Sequence, residues 1–145
     1  MLIILRIAIL AFVVMEASNI VIMYVRPDFP YGNSMRTFRQ WYKAQGDEPS
    51  RLFVKYMVHW VANCKLIFLV LLIVVVIVGN EISTVRAVIA TVVSIGIYFV
   101  SLYPIIKKLD QMDEIQPKGY SKTLALIIGA FMAMFSLALL FYFLT

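Results

Sequence analysis

The chain has 145 residues, of which 63% are hydrophobic and 14% charged, and its formal net charge is +5. A soluble domain carries about a quarter charged residues, so this composition excludes an ordinary soluble fold. The single cysteine, Cys64, excludes an intramolecular disulfide and a CxxC metal or redox motif. The apolar residues form long runs without the alternation of barrel strands. The sequence therefore predicts an all-α integral membrane protein.

A four-helix transmembrane bundle is predicted as one domain over residues 1–145, with spans at about residues 2–25, 56–78, 82–106 and 122–145. Arg26-Pro27 ends the first span, because proline disfavours helix at the residue before it. The second long helix is expected to start at Asp47-Glu48-Pro49-Ser50, since acids and proline suit a first helical turn. Gly79-Asn80-Glu81 predicts a tight turn, and Ser121 is expected to cap the fourth span.

The basic residues predict the orientation, because cytoplasmic loops carry an excess of Lys and Arg. Five lie in the loop at residues 26–52 and four in or beside the loop at residues 107–121, against Arg6 and Arg86 on the opposite side. We therefore expect a plasma or inner membrane protein with both basic loops cytoplasmic and both termini outside.

The first loop has a helical pattern of its own over about residues 35–45. Apolar side chains share one face at about 100° per residue and basic side chains share another. They are Met35, Phe38, Trp41 and Tyr42 on the first face, and Arg36, Arg39 and Lys43 on the second. This pattern predicts a short amphipathic helix in the membrane interface, with its basic face contacting lipid headgroups.

Two ionisable residues fall within the spans, where charge is costly and usually faces the bundle interior. Counting inward from Val25 and Lys55 at 1.5 Å per residue puts Glu16 and Lys65 each roughly 14 Å deep. Opposite charges at equal depth on adjacent helices predict an ion pair.

Further polar residues lie at similar depth on the same two helices. Asn19 is expected opposite the region of His59 to Asn63. Asn63 and Lys65 point about 160° apart, so the second span is expected to have polar neighbours on two sides, either centrally or at an oligomer interface. For His59 we expect a hydrogen bond to the first or third span; a proton relay, metal ligand or haem ligand is the alternative.

For the polar residues of the third and fourth helices and of the connection between them, we expect structural roles. Small and hydroxyl side chains at helical spacing predict close helix contacts with hydrogen bonds across them, a polar pathway being the alternative. They are Thr91, Ser94, Tyr98 and Ser101 on the third helix, and Ala125, Gly129, Ala133 and Ser136 on the fourth. Asp110, Asp113 and Glu114 lie beside Lys107 and Lys108, which predicts a solvated helix face with ion pairs inside the helix rather than a metal site.

Three function classes remain, of which a non-catalytic homo-oligomer or accessory subunit of a membrane complex fits best. The second is a transporter of ions or small molecules: the chain resembles small multidrug resistance transporters in its four helices and in Glu16 midway along the first. It departs from them in its long basic loop, and Lys65 would neutralise Glu16.

The third class is a membrane enzyme, since size, helix number and first loop resemble the superfamily of microsomal glutathione transferases and leukotriene synthases. Such an enzyme would bind an anionic cofactor near Arg51, Lys55 and His59. The corresponding stretch, RLFVKYMVHWVANCK, has Asn63 but no acid nearby, so no catalytic residue is transferred.

The expected partners follow from the same features. They are membrane lipids, including anionic headgroups at the cytoplasmic face, and further copies of the chain or other membrane subunits. No cofactor, metal or nucleic-acid partner is expected.

Overall fold

The computed structural model describes residues 2–29 and 35–144, which form helices joined by short connections. The elements are α1 (Leu2–Val25), a 3-10 turn (Met35–Thr37), α2 (Arg39–Ala44), α3 (Glu48–Val78), α4 (Glu81–Ser101), α5 (Tyr103–Gln111) and α6 (Tyr120–Leu144). The predicted all-helical fold class is confirmed for these residues. Among them, four helices are long and apolar enough to cross a membrane: α1, α3, α4 continued by α5, and α6.

Helix α1 is the central element of the bundle. It packs against α3, α6 and α4, and α4 in turn packs against α6 and α3. Its buried residues recur every three to four positions, and Leu5 and Ile9 are fully buried. The Phe12 ring lies 5.3 Å from the Phe131 ring of α6 and 6.2 Å from the Phe68 ring of α3, both edge-on. Aromatic packing therefore joins three helices at α1.

Helix α3 begins and ends as the sequence predicts. The Asp47 carboxylate caps it by accepting hydrogen bonds from the Ser50 backbone N–H at 3.0 Å and hydroxyl at 2.6 Å. These two hydrogen bonds hold the pKa of Asp47 below its usual value, because they favour the charged form. At the other end, a Cβ on Gly79 would lie 2.2 Å from the Val75 carbonyl oxygen, so only glycine fits there.

The third and fourth spans differ from the prediction at one end each. The expected helix over residues 82–106 is interrupted at Leu102, and Pro104 lies in the first turn of α5. Proline has no N–H and crowds the carbonyl four residues earlier, which accounts for the interruption. The prediction that Ser121 caps the fourth span is wrong: α6 already begins at Tyr120, and the Ser121 hydroxyl instead donates to the Asp110 carboxylate.

The outward faces of the long helices are apolar. Val78, Val100 and Leu126 each expose more than 70% of their surface. A soluble monomer rarely exposes continuous apolar surface on this scale, whereas lipid tails cover such surface without penalty.

Candidate functional site

The bundle has two ends that differ in their connections. The two-residue Gly79-Asn80 turn, the start of α1 and the end of α6 lie at one end, which we name the turn end. The first loop and the α5–α6 connection lie at the other, which we name the loop end.

The structure brings Glu16 and Lys65 together between α1 and α3. Lys65 Nζ donates to Glu16 Oε2 at 2.7 Å, and both side chains are partly buried. The two helices run antiparallel, so residues at equal distance from the loop end face each other. The carboxylate of Glu16 is thus neutralised inside the chain.

Helix α1 also supplies the partner of Asn63. The Tyr24 hydroxyl donates to Asn63 Oδ1, although Asn63 and Lys65 point away from each other on α3. The expectation that α3 needs polar neighbours on two sides is therefore wrong. Tyrosine and lysine side chains are long enough to close the angular gap from a single neighbouring helix.

Within the described residues, His59 does not make the hydrogen bond to the first or third span that was predicted for it. The His59 ring packs edge-on against Tyr24, with ring centres 5.3 Å apart, and its buried Nε2 has no hydrogen-bond partner among the described residues. The buried Oδ1 of Asn19 likewise has none within the part of the chain that the structure describes. These two atoms are unsatisfied next to a paired cluster, which is costly in an apolar interior.

Two hydroxyls of the stripe on the third span bond to their own helix, and the buried Tyr98 hydroxyl has no hydrogen-bond partner among the described residues. Thr91 donates to the Ala87 carbonyl at 2.8 Å and Ser101 to the Ile97 carbonyl at 2.9 Å. Bonds across a helix contact were expected, and for these two residues that expectation is wrong. Hydroxyls in helices commonly bond the carbonyl one turn earlier, since it is within reach at no entropic cost.

The small-residue stripe of α6 is open at its centre. A Cβ placed on Gly129 would meet nothing within 4 Å, whereas one on Gly96 of α4 would meet Met132 at 3.5 Å. The close helix contact predicted at Gly129 is therefore not made within the described chain.

At the loop end, two segments distant in sequence pair to form what we name the clasp: residues 37–43 and residues 113–116. Lys43 Nζ lies 2.8 Å from Glu114 Oε1, and Arg39 Nη2 lies 3.2 Å from Asp113 Oδ2. The backbones also pair, because Arg39 N–H donates to the Glu114 carbonyl at 2.9 Å and Gln116 N–H donates to that of Thr37 at 2.7 Å. The clasp joins the first loop to the α5–α6 connection.

The clasp corrects the expectation for the acidic residues. Asp113 and Glu114 were predicted to pair within their own helix, with Lys107 and Lys108, and they pair with the first loop instead. Asp110 is buried rather than solvated, and it accepts hydrogen bonds from the Gly119 N–H at 2.9 Å and from Ser121.

Because of the clasp, the segment at residues 35–45 differs from the interfacial helix that the sequence predicts. Phe38 is extended, at φ −87° and ψ 124°, because its backbone bridges to Ile115. The segment is consequently a 3-10 turn followed by the six-residue α2. Met35 and Trp41 pack against the bundle core, so at least part of the apolar face is turned toward protein. Of the three basic residues, Arg39 and Lys43 have carboxylate partners, and Arg36 is exposed.

Two contacts that sequence patterns did not indicate close the turn end. Arg6 Nη2 donates to the Gly79 carbonyl at 2.9 Å, at the end of α3, where the helix dipole favours a cation. The Tyr142 hydroxyl donates to Glu81 Oε1 at 2.6 Å, joining α6 to α4. The described residues contain no group of three or more His, Cys, Asp or Glu side chains placed to hold a metal ion.

These features define a small four-helix protein whose long helices suit a membrane and whose charged groups concentrate at one end. Comparison with family models, curated proteins and solved structures finds no match to this chain.

Proposed function

We propose that the chain is a non-catalytic multipass membrane protein that acts through assembly, with further copies of itself or with other membrane subunits. The observation that carries this proposal is the Glu16–Lys65 pair at 2.7 Å. A proton-coupled transporter needs a carboxylate that is free to meet protons or cargo, whereas the Glu16 carboxylate is held by the Lys65 ammonium of the same chain.

The orientation proposed from the charge bias accompanies this function. The loop end lies in the cytoplasm, where the exposed Arg36 contacts lipid headgroups. Arg39 and Lys43, the other two headgroup contacts expected from the sequence, contribute less because each has a carboxylate partner. Ten of the chain's Lys and Arg residues are at or near the loop end, which supports this placement.

Assembly is supported by the open centre of the α6 stripe. Small residues let helix backbones approach closely in lipid, and Gly129 has free space where a second helix would lie. A side chain added there would begin in open space, since its Cβ meets nothing within 4 Å inside the described chain.

The test compares two variants in lipid nanodiscs or bilayers, with subunits counted by single-molecule photobleaching. We expect Gly129→Leu to reduce the oligomer fraction at least severalfold while thermal unfolding stays close to that of the wild type. The matched control is Ala130→Leu, which introduces the same side chain at an exposed neighbouring position. A wild-type chain that stays monomeric at every protein-to-lipid ratio would contradict self-assembly.

A further inference from the structure

An open groove of about 920 Å³ lies beside the clasp at the loop end. Arg36, Arg39 and Tyr42 line it from the first loop, and Asp113, Gln116 and Lys118 line it from the α5–α6 connection. The groove exists because the clasp holds these two segments side by side. Neither segment could form it alone.

The charges in the groove are unbalanced. Its lining residues include three cations, Arg36, Arg39 and Lys118, and a single carboxylate, Asp113. That carboxylate already pairs with Arg39 at 3.2 Å. Arg36 and Lys118 are exposed, and no ion pair holds either of them within the described residues; the buried Asp110 carboxylate, which does not line the groove, attracts Lys118 from nearby. The groove therefore presents net positive charge on a concave surface, where field lines are focused.

Arg39 is the fixed member of the three. The Gln116 amide is oriented with its oxygen toward Arg39, and this oxygen accepts hydrogen bonds from Arg39 Nη2 at 2.9 Å and from Arg39 Nε at 3.2 Å. A guanidinium held by two partners has already lost its rotamer freedom, so it can direct a donor at a ligand with little further entropic cost.

The geometry points to a binding site for a phosphate-bearing anion in this groove, with Arg36 and Lys118 as the principal contacts and Arg39 between the two segments. Phosphate oxygens suit guanidinium and ammonium donors because charge-assisted hydrogen bonds to them are short and strong. Tyr42 also lines the groove and carries a hydroxyl, which is a neutral hydrogen-bond donor.

The phosphate can come from a lipid headgroup or from a soluble phosphate. The lipid source rests on the proposed membrane placement, since it requires the loop end to lie at a bilayer surface. The soluble source does not depend on that placement. Lys43 was expected to contact headgroups, but in the clasp it pairs with Glu114. Lys118 takes its place as an expected phosphate contact.

The experiment measures retention of two probes by the purified full chain in detergent, using native mass spectrometry: phosphatidylglycerol and inorganic phosphate. The double variant Arg36→Gln/Lys118→Gln should bind the probe about tenfold more weakly than the wild type. The matched control is Lys107→Gln/Lys108→Gln, which removes the same charge from exposed positions outside the groove and should change retention less than about twofold.

The outcomes separate the hypotheses. If the groove variant retains less phosphatidylglycerol but the same amount of inorganic phosphate, the site binds a lipid headgroup. If it retains less inorganic phosphate but the same amount of phosphatidylglycerol, the site binds a soluble phosphate. If both double variants lose the same amount of probe, the anions are attracted by the overall positive charge of the surface and the groove is not a site. If the groove variant retains as much probe as the wild type, the proposed site is wrong. Phosphate binding without lipid binding would assign the site to a soluble phosphate and leave the site itself intact.

A third variant changes the affinity in the opposite direction. Asp113→Asn removes the one carboxylate of the groove, and asparagine tolerates the left-handed backbone at φ 61° found there. Retention should rise severalfold because the repulsion is gone. Unchanged or weaker retention, in a protein whose helical circular dichroism is preserved, would contradict binding driven by the groove's charge.

Discussion

The carboxylate of Glu16 and the ammonium of Lys65 depend on each other, because each charge is stabilised in the apolar interior mainly by its partner. Each charge alone in an apolar interior carries a desolvation penalty of several kcal/mol, and their mutual attraction offsets that penalty only while the geometry is good. At 2.7 Å the geometry meets that condition. Removing one member leaves the other charge without compensation, whereas removing both eliminates the penalty and the attraction together.

This reasoning predicts strong coupling between the two residues. Glu16→Gln and Lys65→Met should each lower the free energy of unfolding by about 3 kcal/mol, and the double variant should recover much of that loss. Thermal unfolding in detergent of the wild type and three variants measures the coupling.

The clasp offers a matched control for this cycle. Lys43 is about half exposed in its pair with Glu114, so Lys43→Met should cost less than about 1 kcal/mol. Additive losses for Glu16 and Lys65 would show that their contact contributes nothing. A Glu16→Gln protein that keeps its full stability and loses only a transport activity would instead favour the transporter class.

The sequence could place Glu16 opposite Lys65 because a helix rises by a fixed amount per residue, so depth can be counted from the span boundaries. It could not find Tyr24 as the partner of Asn63. A helical wheel gives only the direction in which a side chain leaves the helix. Whether the Tyr24 hydroxyl reaches Asn63 depends on the length and rotamer of the tyrosine side chain, which the wheel does not contain. Asp110 was misjudged for another reason, since its partners Gly119 and Ser121 become neighbours only after the chain folds back.

At the scale of elements, the clasp gives α2 its position. The six residues of α2 are too few to be a stable helix in water by themselves. Their exposed ion pairs contribute little individually, but backbone hydrogen bonds to residues 114–116 and the packing of Trp41 on the core act in the same direction. Order in the first loop therefore depends on the α5–α6 connection.

A charge reversal tests this dependence. Lys43→Glu or Glu114→Lys alone places like charges 3 Å apart, and each should speed chymotrypsin cleavage at Phe38, Trp41 and Tyr42 severalfold. The double reversal restores opposite charges and should return the rate close to that of the wild type. Time courses of the cleaved fragments, followed by mass spectrometry, give the rates.

Lys107→Glu serves as the control, because it makes the same change on the exposed face of α5, away from the clasp. Persistently fast cleavage in the double reversal would show that the pair does not hold α2. The helical pattern of the first loop was readable from its spacing, but its partner was not, since Lys43 and Glu114 are separated by 71 positions and no local rule connects them.

At the scale of the whole molecule, the alternation of four long helices puts both basic connections at one end. We predict that this end is cytoplasmic. In a Cys64→Ser background, a cysteine at Asn80 should react with an impermeant maleimide added outside intact cells, and one at Gln45 should react only after the membrane is opened.

The reverse labelling pattern would invert the orientation, and labelling of both positions from outside would contradict a membrane-spanning bundle. Asn80 caps α4, so its replacement has an expected cost of about 1 kcal/mol, which a folded bundle tolerates.

The contacts that fasten the two ends differ in kind. The loop end is joined by exposed ion pairs, Arg39–Asp113 and Lys43–Glu114, whereas the turn end is joined by hydrogen bonds that involve a carbonyl and a phenol. Dissolved salt weakens the first kind over a Debye length of about 8 Å at physiological ionic strength and affects the second kind far less. The ionic strength of the surrounding water therefore acts more strongly on the loop end: as it rises, the two ion pairs of the clasp weaken, and the backbone hydrogen bonds and the packing of Trp41 are left to hold residues 37–43 in place.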